Sequence, residues 1–171
     1  MLRRLRENGP GVLVPLAWTF ATAAHLELLA VRTVLIGHLV MDVVLVAFAA
    51  LSWGDMREGV LLVWKVVILI GLAFTLLGTA VLFAAPESTA LLRVTVLGWM
   101  LVPAAGLTYT GRSVAHETAP WIYTAGAGLS VAGAVAYLAA PLLSTDAFAV
   151  AGLVLVNAGQ TAGIANAVYR Y

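Results

Sequence analysis

Few side chains in this sequence can do chemistry. The two that stand out are His38 and Asp42, four residues apart in the stretch Val34-Leu35-Ile36-Gly37-His38-Leu39-Val40-Met41-Asp42. On a helix that spacing puts imidazole and carboxyl on one face. The stretch lies inside a long apolar run, and if that run spans a membrane, Asp42 falls near mid-bilayer, where an ionisable group is costly and usually has a purpose. A carboxylate one turn from an imidazole can hold a proton, orient the ring or pair with it when charged. The chemistry read from the pair is therefore proton or cation binding. The competing reading is an interhelical hydrogen-bonded pair that only fixes packing, a contact that stabilises membrane bundles by about 1 kcal/mol.

Two further groups bear on this pair. Asn157 and Gln160 lie three residues apart near the middle of the last apolar run and share a helix face. They read either as hydrogen-bonding glue or as amides that meet His38 and Asp42 across the bundle to complete a polar midplane pocket. His25 lies seven residues before Arg32 and His38 six after it. A hairpin turning at Arg32 puts both imidazoles at similar depth on adjacent helices, where they could share a metal ion or a haem b. No other cofactor is expected. His116 lies beside Glu117 in a polar connector and reads as solvated.

Composition fixes the class of molecule that must position these residues. The chain has 171 residues, is 63% hydrophobic and only 10% charged, with mean hydropathy +1.02. A soluble domain carries about a quarter charged residues, so this chain lacks the charge to solvate a surface. There is no cysteine, hence no disulfide and no thiolate site. A net charge of +1 without a basic patch excludes a nucleic-acid partner. The Ala, Val, Leu and Gly bias with a single lysine suggests a GC-rich prokaryotic genome. Phosphate-binding, dinucleotide, HExxH and GxSxG motifs are all absent, which argues against an enzyme.

Residues 1–10 form a polar head with Arg3, Arg4 and Arg6, broken by Gly9-Pro10-Gly11. Residues 11–171 read as one helical membrane domain. Spans are expected over about 12–30, 33–53, 59–85, 90–110, 120–140 and 147–169, with short connectors that force sequential antiparallel neighbours. The expected fold is thus an all-α integral membrane protein, an up-down bundle of six transmembrane helices. Five spans with an interfacial or re-entrant first helix is the alternative, and a secretory signal peptide ending near Ala21-Thr22-Ala23 is a third reading of the first segment.

With six spans, Arg3, Arg4, Arg6, Arg57, Arg112 and Arg170 gather at one side of the membrane, which the positive-inside rule makes cytoplasmic for both termini. Trp53, Trp64, Tyr109, Trp121, Tyr123, Tyr169 and Tyr171 mark the same side as an aromatic belt. Trp53, Trp64, Lys65, Trp121 and Tyr123 are its interfacial anchors. Small residues at four-residue spacing, Gly126, Ser130 and Ala134 in one run and Gly159 and Gly163 in another, should pack helices closely within the chain, in a homo-oligomer or on membrane partner subunits. The two halves show no residue-level similarity. These features suggest a multi-pass protein of the cell membrane that binds or passes a small solute or protons. A haem- or metal-binding redox subunit and a structural subunit of a larger complex are the rival readings.

Overall fold

The computed structural model describes the backbone of residues 2–170 and the side chains of residues 9–117 and 119–170. The side chains of Arg3, Arg4 and Arg6, and the whole of Tyr171, lie outside the described residues. Among those residues the chain forms six α-helices, one 3-10 turn at His116–Thr118 and no strand. The helices are α1 (Leu2–His25), α2 (Val31–Ser52), α3 (Gly59–Ala84), α4 (Thr89–Ser113), α5 (Pro120–Leu142) and α6 (Asp146–Arg170). Five of them, α2 to α6, are long and apolar enough to cross a bilayer. The chain is a multi-pass helical membrane bundle.

Each helix packs antiparallel on the next. The Phe20 ring of α1 lies over Gly37 of α2, and Thr79 of α3 reaches Asp42 of α2. Trp64 of α3 bonds Thr110 of α4, and Leu107 of α4 lies on Gly126 of α5. The last helix returns to the first, with Val168 against Gly11 and Gln160 against Trp18. The result is a closed up-down ring in which the last helix packs back on the first. Its loosest seam is between α1 and α2, where the Phe20 ring reaches Gly37.

Two expectations for the first segment are corrected. Gly9-Pro10-Gly11 does not break the chain: α1 continues through Pro10 and Pro15. A proline's fixed φ is compatible with helical backbone, and each one interrupts a single hydrogen bond of the ladder without ending it. The turn lies at residues 26–30 rather than at Val31-Arg32-Thr33. It is built without glycine. Glu27 takes φ 57°, while Leu28 N–H bonds Ala23 O at 3.0 Å and Glu27 N–H bonds Ala24 O at 3.1 Å. This is the paired hydrogen-bond pattern that closes a helix on a left-handed residue, here with a side chain that water can solvate.

The α5–α6 seam is the tightest. Gly133 and Gly152 oppose one another so closely that a methyl group on either would meet the other's carbonyl oxygen at 2.5 Å, and Gly126 and Gly159 repeat the arrangement. The reciprocal spacing is therefore seven residues, two helical turns, and not four. Gly163, expected to share a packing face with Gly159, turns instead to Leu107 of α4. Buried Ser130 and Ala134 lie on the same face of α5 as its packed glycines, and the Ser130 hydroxyl bonds back to Gly126 O at 2.9 Å. These small residues are thus consumed inside the chain.

The α3–α4 seam contains a repeat that a comparison of the two halves does not find. The pattern Trp-x2-Val-x3-Gly-Leu-x-(Phe/Tyr)-Thr occurs at Trp64, Val67, Gly71, Leu72, Phe74 and Thr75. It recurs 35 residues later at Trp99, Val102, Gly106, Leu107, Tyr109 and Thr110. The two copies interlock. Trp64 Nε1 donates to Thr110 Oγ1 at 3.0 Å, and Thr110 donates to Gly106 O at 2.8 Å. Trp99 Nε1 donates to Thr75 Oγ1 at 3.0 Å, and Thr75 donates to Gly71 O at 3.0 Å. Each indole lies at the glycine whose carbonyl its threonine caps. The two Trp–Thr links are thus reciprocal across the seam.

Candidate functional site

Asp42 is the twelfth residue of the 22-residue α2, so its carboxyl sits at mid-helix. Along this face burial deepens toward the C-terminal end: His38 is half-buried, and Asp42, Leu45, Ala49 and Ser52 are buried. Asp42 is 8% exposed. Its Oδ2 accepts a hydrogen bond from Thr79 Oγ1 at 2.7 Å. Its Oδ1 is buried and has no hydrogen-bond partner among the described residues. A buried acceptor left unpaired costs about 1–3 kcal/mol, and more when charged.

His38 lies one turn away against the same part of α3. Its Nδ1 is 3.1 Å from Val34 O. A carbonyl can only accept, so Nδ1 carries the proton and the neutral ring presents Nε2 as a bare lone pair. That nitrogen faces Gly78, where an added methyl group would lie 2.9 Å from Nε2 and 3.0 Å from Thr95 Cγ2. The missing side chain at Gly78 makes the room in which the imidazole sits among α2, α3 and α4. Imidazole and carboxyl thus both face α3, at Gly78 and Thr79. The face can take up a positive charge through one basic nitrogen and one unengaged carboxyl oxygen.

Gln160 and Asn157 do not join this pair. Gln160 is 3% exposed. It accepts from Trp18 Nε1 at 2.9 Å and donates to Trp99 O at 3.0 Å and Met100 O at 3.3 Å. The first of those carbonyls is the one that Pro103, four residues on and without an N–H, cannot bond. Gln160 therefore ties α1, α4 and α6 together at the interruption in α4. Asn157 Oδ1 accepts from Thr161 Oγ1 at 3.0 Å within α6. The helix order explains the separation: α2 packs chiefly on α3, whereas α6 packs on α1, α4 and α5.

The proposed sharing of one ligand by His25 and His38 is not supported by their placement. With the turn at residues 26–30, His25 is the last residue of α1 while His38 is the eighth of α2. That puts His38 about seven residues, roughly 10 Å, deeper along the bundle axis. His25 is also fully engaged, with Nδ1 3.1 Å from Ala21 O and Nε2 2.7 Å from Tyr137 OH. No group of three or more His, Asp or Glu side chains suited to a metal ion occurs among the described residues.

Of the expected anchors, Trp53 and Trp121 are exposed, at 53% and 67%, and Lys65 Nζ sits 4.6 Å over the Trp53 ring. Trp64 is half-buried on Thr110. Tyr123, in the first turn of α5, is 1% exposed and packs inward on Ala104, Leu107 and Ala127.

Thr79, Gly78 and Thr95 complete the site and were not singled out from the sequence. A threonine four residues from another in an apolar run, Thr75 and Thr79, was the available signal. Comparison with protein-family models, with curated proteins and with solved structures finds no match.

Proposed function

We propose that this chain crosses the cell membrane six times with both termini in the cytoplasm, and that it binds a proton or a small cation at Asp42 in the course of its passage across the bundle. The observation that carries the reading is the unpaired Oδ1 of a buried mid-helix carboxyl. A carboxyl that served only as glue would have both oxygens engaged, because an unsatisfied acceptor weakens the fold. Six crossings are supported by the packing of α1 on α6, with Gly11 against Val168 and Trp18 bonded to Gln160. The cytoplasmic termini are supported by the arginine distribution.

In this reading His38 exchanges charge with Asp42 from the N-terminal side of α2. Leu45 and Ala49, both buried, separate Asp42 from the other end of the helix. Access to the carboxyl is then from the side of the membrane that holds residues 26–30.

The test is proton flux into liposomes that contain the purified protein and a trapped pH-sensitive dye, with the membrane potential set by a potassium gradient and an ionophore. Wild type should acidify the lumen faster than protein-free vesicles, and Asp42→Asn and His38→Ala should lose the excess. Flux in both variants equal to wild type, with normal folding, defeats the proposal and leaves these residues as packing contacts of a structural subunit.

A further inference from the structure

A second polar cluster lies at the opposite end of the bundle from the Trp53–Lys65 pair, and none of it belongs to α2 or α3. The C-terminal ends of α1 and α5, the start of α4 and the start of α6 enclose a cleft of about 130 Å³. Its polar lining is His25, Arg93, Tyr137, Ser144, Thr145 and Asp146, over an apolar floor. Given a liquid volume of about 30 Å³ per water, this is room for several waters or one small polar group.

The charges in the cleft are not committed to one another. Arg93 and Asp146 both line it, both are exposed, and neither makes an ion pair or a side-chain hydrogen bond among the described residues. The neutral groups, by contrast, are fixed. His25 Nδ1 lies against Ala21 O, so the neutral ring accepts at Nε2, and the Tyr137 hydroxyl donates to it at 2.7 Å. That bond uses the phenolic proton and leaves the phenol oxygen as an acceptor. The cleft therefore offers acceptors, the Asp146 carboxylate and the Tyr137 oxygen, beside donors, the Arg93 guanidinium and the Ser144 and Thr145 hydroxyls.

We propose that this cleft binds a zwitterion, with an anionic oxo group on Arg93 and a neighbouring primary ammonium on Asp146 and Tyr137. Arginine's planar fork matches phosphate or carboxylate oxygens. A primary ammonium has three N–H donors for the two acceptors opposite. The helix ends around the cleft put it at the depth of lipid headgroups, so the same chemistry can come from an ethanolamine phospholipid or from a free phosphoethanolamine-type solute.

The experiment uses the full chain in detergent and titrates phosphoethanolamine, phosphocholine and inorganic phosphate calorimetrically. In parallel, the lipid bound after purification from mixed ethanolamine and choline phospholipid is identified by native mass spectrometry. Phosphoethanolamine should bind more tightly than phosphocholine, whose quaternary nitrogen has no N–H to donate. Arg93→Gln should weaken both phosphoesters and inorganic phosphate by about tenfold or more. Asp146→Asn should erase only the preference for the primary amine.

Retention of ethanolamine lipid without measurable binding of the soluble probe assigns the source to the bilayer. Binding of the soluble probe without lipid retention assigns it to a solute. Both side chains are on the surface, so both variants should fold, which circular dichroism checks. Absence of probe binding and of lipid preference in wild type, or preferences unchanged in both variants, overturns the proposal.

Discussion

Gln160 and Asp42 are both buried polar side chains near the middle of an apolar helix, and the bundle treats them in opposite ways. Gln160 has partners on two other helices for its oxygen and its amide nitrogen, and one of them is the carbonyl that Pro103 strands. Asp42 has one partner, on one helix, for one oxygen. A satisfied network rigidifies, whereas a half-satisfied one costs stability. The contrast separates a polar residue whose hydrogen bonds hold helices together from one that keeps an oxygen unengaged, as the proposed binding role requires. It also places them apart: the satisfied amide lies where α1, α4 and α6 meet, and the unsatisfied carboxyl lies on the α2–α3 side of the ring.

The contrast breaks or holds on two substitutions read by two assays. Asp42→Asn should reduce proton flux by at least about a hundredfold, the scale of a positioned proton-transfer group. It should change stability by less than about 1 kcal/mol, because a neutral amide of the same shape is cheaper to bury than a carboxylate. Gln160→Leu should do the reverse. It leaves the Trp18 N–H and the Trp99 carbonyl without partners and should cost about 2–4 kcal/mol in reversible unfolding in mixed micelles. Flux per folded molecule should stay within about twofold of wild type, since nothing at Asp42 changes. If Asp42→Asn instead loses as much stability as Gln160→Leu while flux persists, the two residues are the same kind of glue.

Much of the architecture was legible in the sequence because membrane helices are written in runs of about 20 apolar residues that only Gly, Pro and charge interrupt. The runs of α2 to α6 and their short connectors could be read from it, with ends that the structure moves by no more than three residues. The turn after α1 could not. It depends on Glu27 taking a left-handed conformation that its residue type does not advertise. Moving that turn by about five residues moved His25 out of register with His38.

The face shared by His38 and Asp42 follows from spacing alone. Its partners do not, because which helix lies opposite is a property of the ring order, and small side chains such as Gly78 act by what they leave out. The interlocking Trp-Gly-Thr repeat was present in the sequence at a 35-residue offset. It relates two consecutive helices rather than two halves, so a search for transporter-like half repeats passes over it.

The next sharpening concerns Pro103. If Gln160 is held in place by the carbonyl that the proline frees, restoring an N–H at position 103 should relieve the need for the amide. In a Pro103→Ala background the helix can bond Trp99 O itself, and Gln160→Leu should then cost about 1 kcal/mol less than in wild type. Unfolding free energies of the four proteins of this double-mutant cycle give the coupling directly. A coupling near zero would mean that Gln160 contributes through Trp18 alone, and that its match to the interruption in α4 is incidental.

The smallest expected effect is at the one bond Asp42 does make. Thr79→Val keeps the shape of the side chain and removes the hydroxyl that donates to Oδ2 at 2.7 Å. If Asp42 were glue, this bond would be its whole contribution, and losing it would lower stability by about 1 kcal/mol and leave flux alone. If Asp42 is a binding group, Thr79 is its positioning residue. The carboxyl then keeps its place through the packing of α2 on α3 but loses the hydrogen bond that fixes its orientation. Flux should fall by about two- to fivefold, well short of the loss from removing the carboxyl itself. Thr79→Ser restores the hydroxyl and should restore the flux. A Val variant that passes protons at the wild-type rate, alongside an inactive Asn variant at position 42, would keep Asp42 as the site and remove Thr79 from it.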